Sequence, residues 1–116
     1  MALEKDLEML KVTPQVEYTI YIAGDLRRAI SLCEEFCLGG FCVTCDPTTY
    51  IYKHGVEQGV KVGLINYARF PLVKEELEKK AHELGHKLLL GLNQGSFSVV
   101  GGGTSSFYSR RDSDHE

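Results

Sequence analysis

No run of apolar residues approaches the ~18 needed to cross a membrane, and basic side chains are not in excess. Thirteen Lys and Arg stand against sixteen Asp and Glu, a formal charge of −3. The first absence argues against a membrane protein. The second removes the broad attraction that draws clustered Lys and Arg to DNA, RNA or anionic lipid, so any phosphate site has to be local. A leader peptide is not expected either, because Glu4, Asp6 and Glu8 make the segment from Met1 to Lys11 too acidic for one. Internal repeats are missing as well. With 116 residues the chain can bury about two-thirds of its unfolded surface around a single core. A deep cleft would then need a second copy of the chain.

What is present reads as alternating elements. Leu3, Leu7 and Leu10 fall at helical spacing in residues 1–15, an N-terminal arm that either frays or orders against a partner subunit. From Val16 the period becomes two, with Val16, Tyr18, Ile20 and Ile22 apolar, which predicts a half-buried strand. Asp25 caps a helix whose expected buried stripe is Leu26, Ala29, Ile30, Cys33 and Cys37, stopped by Gly39-Gly40. Three short strands are expected next: Phe41–Cys45, Thr49–Lys53 after the turn signal Asp46-Pro47, and Val60–Tyr67. A second helix starts near Pro71 and carries Leu77, Ala81, Leu84 and Leu88 on one face. Strands Ser96–Val100 and Thr104–Arg110 close a domain spanning 16–110, and 111–116 is expected to be a mobile tail. The order β-α-β-β-β-α-β-β predicts an α+β fold: a mostly antiparallel sheet with both helices packed on one face.

Two motifs compete as chemistry. Cys33, Cys37, Cys42 and Cys45 could hold zinc as thiolates, but the first two lie on the buried helical stripe. The last two, three apart in a strand, point to opposite faces. Reduced core cysteines are the expectation, with no metal. His82-Glu83-Leu84-Gly85-His86 matches H-E-x-x-H, the pattern of a small zinc metallopeptidase with Glu83 as general base. The third ligand such a site requires has only Asp112, Asp114, His115 and Glu116 as downstream candidates, in a tail with nothing to hold it, and Leu89 and Leu92 stand where the extended motif needs glycine and histidine. On a helical wheel both histidines fall opposite the leucine face, beside Glu75 and Lys79, on what would be the solvated side.

Arginines recur at element ends, among them Arg28 in the first turn of helix one and Arg69 before helix two. The stretch Asn66-Tyr67-Ala68-Arg69-Phe70-Pro71 sets a guanidinium and aromatic rings beside a helix start, a corner suited to a phosphate and a flat base.

Four segments carry a resemblance: Tyr18-Thr19-Ile20-Tyr21-Ile22-Ala23-Gly24-Asp25, the run from Gly40 to Thr44, Tyr50-Ile51-Tyr52, and Val62 to Pro71. Across Val16 to Arg110 they resemble small bacteriophage Thoeris anti-defence proteins, sponges that sequester cyclic ADP-ribose isomers. The resemblance implies a protein that is not an enzyme. It would hold a nucleotide signal intact, in pockets shared between protomers of a homodimer or higher homo-oligomer, in the cytoplasm of an infected bacterial host. Some members of that family also take up cyclic oligonucleotides. No cofactor and no catalytic residue is implied. The family's ligand contacts correspond here to Asn93 and Arg110, and charge and position add Arg28, Arg69 and Phe70. Ala68 stands where the family pattern has proline.

Overall fold

The computed structural model describes residues 7–115. Its elements are β1 (Glu17–Ala23), α1 (Leu26–Cys37), β2 (Thr44–Tyr52), β3 (Gly55–Ile65), α2 (Lys74–Gly91), β4 (Ser96–Gly101), β5 (Thr104–Ser109) and a 3-10 turn, Asp112–His115. The five strands form one sheet in the order β2-β3-β1-β4-β5, and each neighbouring pair is antiparallel. The expected α+β architecture is the one observed.

Alternation on β1 sorts the molecule into two faces. Tyr18, Ile20 and Ile22 are buried and meet Leu64, Val62 and Val60 of β3 in register. Phe97 and Val99 extend that layer through β4. The intervening residues Thr19, Tyr21 and Ala23 turn to the other face, because successive side chains of a strand alternate. Both helices lie over the first layer, α1 against β2 and β3, α2 against β1 and β4.

The helices follow from their caps and spacings. Asp25 Oδ2 accepts from the Arg28 N–H at 2.9 Å, fixing the start of α1. The buried stripe of α1 is Ala29, Leu32 and Cys33, the i, i+3, i+4 pattern of one helix face. Ile30 is rotated out of it and exposed, and Leu32 fills the position expected of it. In α2 the buried face is Leu77, Ala81, Leu84, Gly85, Leu88 and Leu89. Lys87 Nζ reaches Glu35 at 2.8 Å across the two helices, a solvent-facing pair that adds little to stability.

Three expectations change. The segments Phe41–Cys45 and Thr49–Lys53 join into the single strand β2, which runs through Pro47. An edge strand tolerates proline because its missing N–H removes no ladder bond on the unpaired side. Residues 7–15 carry no helix, and Leu7 and Leu10 are exposed; Leu3 lies outside the described residues. The arm is fastened at its base by Asn66, whose Nδ2 donates to Thr13 Oγ1 and the Pro14 carbonyl, both at 3.1 Å, while its Oδ1 accepts from the Leu72 N–H at 2.8 Å. Finally, 112–115 form the 3-10 turn. His115 Nε2 donates to the Ser109 carbonyl at 2.7 Å, Arg111 Nη1 to Ser96 Oγ at 2.9 Å, and Ser109 Oγ bonds Asp114. Polar bonds to β4 and β5 hold there what apolar packing cannot.

Gly85 shows how closely α2 rests on the sheet, since a Cβ built on it would run into the Phe97 ring. Gly85→Ala, which gains roughly 1 kcal/mol of helix propensity on an open helix, is therefore expected to destabilise this protein by about 1–3 kcal/mol through overpacking. Urea denaturation followed by circular dichroism measures the difference.

Candidate functional site

The open face of the sheet presents a cavity of about 200 Å³ at the end where β1 finishes. Tyr21, Tyr50 and Phe107 give it three aromatic walls, Glu57 a carboxylate, Gln94 an amide and Arg111 a guanidinium. Cross-strand register assembles it: Tyr21 stands opposite Ser98, Ser98 opposite Phe107, and Tyr50 opposite Glu57. Tyr50 lies flat across β3 and donates its hydroxyl to the Val60 carbonyl at 2.6 Å. That approach needs the glycine at position 59, where a Cβ would come within 2.6 Å of the Tyr50 ring. Burial pushes the Tyr50 hydroxyl above the ordinary tyrosine value. A backbone hydrogen bond works in the opposite direction and neighbouring Tyr21 adds to the rise. At neutral pH Tyr50 is therefore an uncharged donor.

The rim of this cavity is the turn joining α2 to β4. Arg110 Nε donates to the Gln94 carbonyl at 2.8 Å and its Nη2 to Asn93 Oδ1 at 3.2 Å. The structure thus brings together Asn93 and Arg110. Arg28 lies close by, with Nε 3.4 Å from the Gly91 carbonyl. The guanidiniums of Arg28 and Arg110 therefore lie at and just beyond the carbonyl end of α2, where the helix dipole favours positive charge, and Arg111 bonds Ser96 at the start of β4. Two bonds engage only part of the five-donor Arg110 fork, and the exposed remainder is available to an anion.

Asn93 also has a backbone task. Its φ is +55°, and the Gln94 N–H closes back onto the Leu89 carbonyl at 2.9 Å, the closure of a left-handed helix cap. Arg69 and Phe70 lie elsewhere. They follow β3 in the connection to α2, at the end of the sheet where Glu17 pairs with Ile65, roughly 20 Å along β1 from the cavity at ~3.3 Å per residue. There the Arg69 carbonyl accepts from Lys11 Nζ at 3.0 Å, and Phe70 packs beside Tyr67 with ring centres 5.5 Å apart. Within one chain the five residues singled out from sequence divide into two groups. Tyr21, Tyr50, Glu57 and Phe107 were missed. Their signal was the other half of the strand alternation, since residues between buried ones share the open face.

Of the H-E-x-x-H histidines, His86 is exposed, as the helical wheel places it, and His82 is half-buried, yet both rings touch the sheet. His82 Nδ1 is 2.7 Å from the Tyr108 hydroxyl, and His86 packs edge-on against Phe97 and Tyr108 with ring centres 5.4 and 5.0 Å apart. The sheet extends under α2 as far as β5, so the packed arc of the helix is wider than its leucine stripe. Among the described residues no three His, Cys, Asp or Glu side chains gather to hold a metal, and the donor set a zinc peptidase requires is incomplete.

The cysteines are free thiols, Cys33 buried and Cys42 exposed. Burial pushes Cys33 up to about 12, with Cys45 and Cys37 beside it adding to the rise. Reaction with iodoacetamide proceeds through the thiolate, so the native protein is expected to be alkylated at Cys42 and spared at Cys33 until it unfolds. Peptide mapping by mass spectrometry reads the order.

No protein-family model and no curated protein matches this chain. Solved structures do. A phage SAM lyase in its apo state superposes with a TM-score of 0.64 at 14% identity, covering 90% of this chain and 98% of that one. The structure of a phage SAM lyase in complex with S-methyl-5′-thioadenosine gives 0.63 at 13% identity, covering 90% and 96%. At such identity the likeness shows the fold. It also corrects one expectation: the resemblance implied a protein that is not an enzyme, whereas the solved structures sharing this fold are those of a lyase.

The cap on α2 makes a separable prediction. Asn93→Gly keeps the left-handed cap and is expected to leave stability within about 0.5 kcal/mol, whereas Asn93→Ala is expected to cost about 1 kcal/mol. Urea unfolding of the two variants beside the parent measures both.

Proposed function

We propose that this chain is a counter-defence protein of the bacteriophage kind that takes up an adenosine-containing small molecule on the open face of its sheet. The observation that carries this reading is a guanidinium held in place, Arg110 on the Gln94 carbonyl and Asn93, beside a cavity walled by Tyr21, Tyr50 and Phe107. Rings of that kind stack on a base, and an oriented arginine fork matches phosphate oxygens. A nucleotide of the cyclic ADP-ribose type uses both, and the resemblance across Val16 to Arg110 supports its sequestration. The cavity, at about 200 Å³, falls below the ~300 Å³ at which small-molecule sites begin. Most of such a ligand would lie over the rim, where a second copy of the chain would supply the missing wall. A homodimer or higher homo-oligomer belongs to the proposal.

Glu57 and the phage SAM lyase structures favour a second ligand, S-adenosylmethionine. A sulfonium is attracted both by aromatic faces and by a carboxylate, and Glu57 shares the cavity with three rings. Cleavage of its carbon–sulfur bond sends both electrons to sulfur and turns the cation into a neutral thioether, the class to which S-methyl-5′-thioadenosine belongs, while the carbon left behind takes a new bond from an oxygen of the substrate's own carboxylate. On this reading the chain is an enzyme. Glu57 holds the cation and Tyr50 stays a neutral donor beside it.

One assay tests both. Tag-free protein is incubated with a cyclic ADP-ribose isomer or with S-adenosylmethionine, then filtered, heat-denatured and analysed by mass spectrometry. If the cyclic nucleotide is the ligand, it is retained with the protein. Arg110→Ala then weakens retention at least tenfold, and Glu57→Gln does not weaken it because a like charge has been removed. If the sulfonium is the ligand, S-methyl-5′-thioadenosine accumulates and Glu57→Gln lowers its rate at least tenfold. Protein that neither retains the first nor consumes the second overturns the proposal.

A further inference from the structure

His82 and His86 stand one turn apart on α2, and the nucleotide reading does not use them. Their hydrogen bonds engage Nδ1 of each ring. His86 Nδ1 lies 3.0 Å from the His82 carbonyl. A carbonyl only accepts, so in the neutral ring that nitrogen carries the proton and the Nε2 lone pair is unengaged. His82 Nδ1 is engaged by the Tyr108 hydroxyl at 2.7 Å. A hydroxyl can either donate or accept, so Tyr108 tolerates the tautomer in which His82 Nδ1 is the donor and Nε2 again the lone pair. Both rings are held by edge-on packing, His82 on Tyr108 with centres 5.4 Å apart and His86 on Phe97 and Tyr108. Side chains at i and i+4 approach to about 5–6 Å at Cβ, a span that two nitrogen bonds of ~2.0–2.1 Å to one ion can bridge.

From this geometry we propose that His82 and His86 form a two-histidine site for a divalent transition-metal ion, ligated through both Nε2 atoms and completed by solvent. Tyr108 is a positioning residue: it fixes the orientation of the His82 ring, the part that outer hydrogen-bond partners play at metal sites. Imidazole ligands select the Ni²⁺, Cu²⁺ and Zn²⁺ group over Mg²⁺ and Ca²⁺. The site is not the peptidase centre considered from sequence. Glu83 is turned toward Lys80, 3.8 Å away, and two protein ligands leave the ion open.

Calorimetric titration of the tag-free chain with Ni²⁺ tests it. The expected result is saturable binding of one equivalent, reversed by chelator and absent with Mg²⁺. Binding is lost in His86→Gln, weakened roughly tenfold or more in Tyr108→Phe, and unchanged in His115→Gln, with circular dichroism confirming that each variant is folded. Absence of saturable binding, or parental binding by folded His86→Gln, overturns the site. Parental binding by Tyr108→Phe overturns the role given to Tyr108. Should His86→Gln fail to fold, His86→Ala and His82→Gln supply the same comparison.

Discussion

The two-residue alternation of β1, held in register between β3 and β4, is the constraint on which both halves of the molecule depend. A strand paired on both sides cannot slip by one residue without exchanging its faces. Slippage here would expose Tyr18, Ile20 and Ile22 and bury Tyr21 under the helices. The cost would be several kcal/mol at ~1.5–3 kcal/mol for each large apolar side chain. The core thus fixes the site, because the residues excluded from it, Tyr21 with Ser98 and Phe107 across the ladders, are the ones that line the cavity.

Close approach of backbones is the second constraint. Gly85 lets α2 settle on Phe97, and Gly59 lets the Tyr50 ring lie across β3. The glycine inside the H-E-x-x-H segment is accordingly a packing residue. The histidines flanking it reach Tyr108 because the helix sits low on the sheet. A spacing that in another setting gathers a catalytic zinc here also seats one helix over β4 and β5.

The period-two run from Val16, the i, i+3, i+4 steps of α2 and the Asp25 cap made the architecture readable, since each is local. Pro47 misled because proline speaks against a strand only where both edges are paired, and edge position is a property of the sheet. The turn after 111 was invisible for a related reason: its bonds run from Arg111 and His115 to Ser96 and Ser109, and polar pairings have no period. The resemblance named Asn93 and Arg110 as ligand contacts, and the structure brings the two side chains together at the α2–β4 turn. Arg69 and Phe70 were chosen from a sequence neighbourhood, and chain proximity does not report which end of a sheet a loop occupies.

Holding an adenosine ligand and cleaving one are separated by little in physical terms. Uniform affinity for a ligand and its transition state gives capture alone, and rate acceleration requires contacts that strengthen as charge moves. In a sulfonium the moving charge is a cation being neutralised, so the groups that attract it in the ground state, a carboxylate and aromatic faces, do not by themselves lower the barrier. What would lower it is a contact that strengthens as positive charge passes from sulfur to the carbon of the breaking bond, a task for an acceptor such as the Glu57 carboxylate placed nearer the carbon than the sulfur. A pyrophosphate-containing ligand undergoes no such shift, and the arginines of the rim then contribute affinity and nothing to rate. On the proposed reading one arrangement of rings, carboxylate and guanidiniums would suit either role, and the charge of the guest would decide between them.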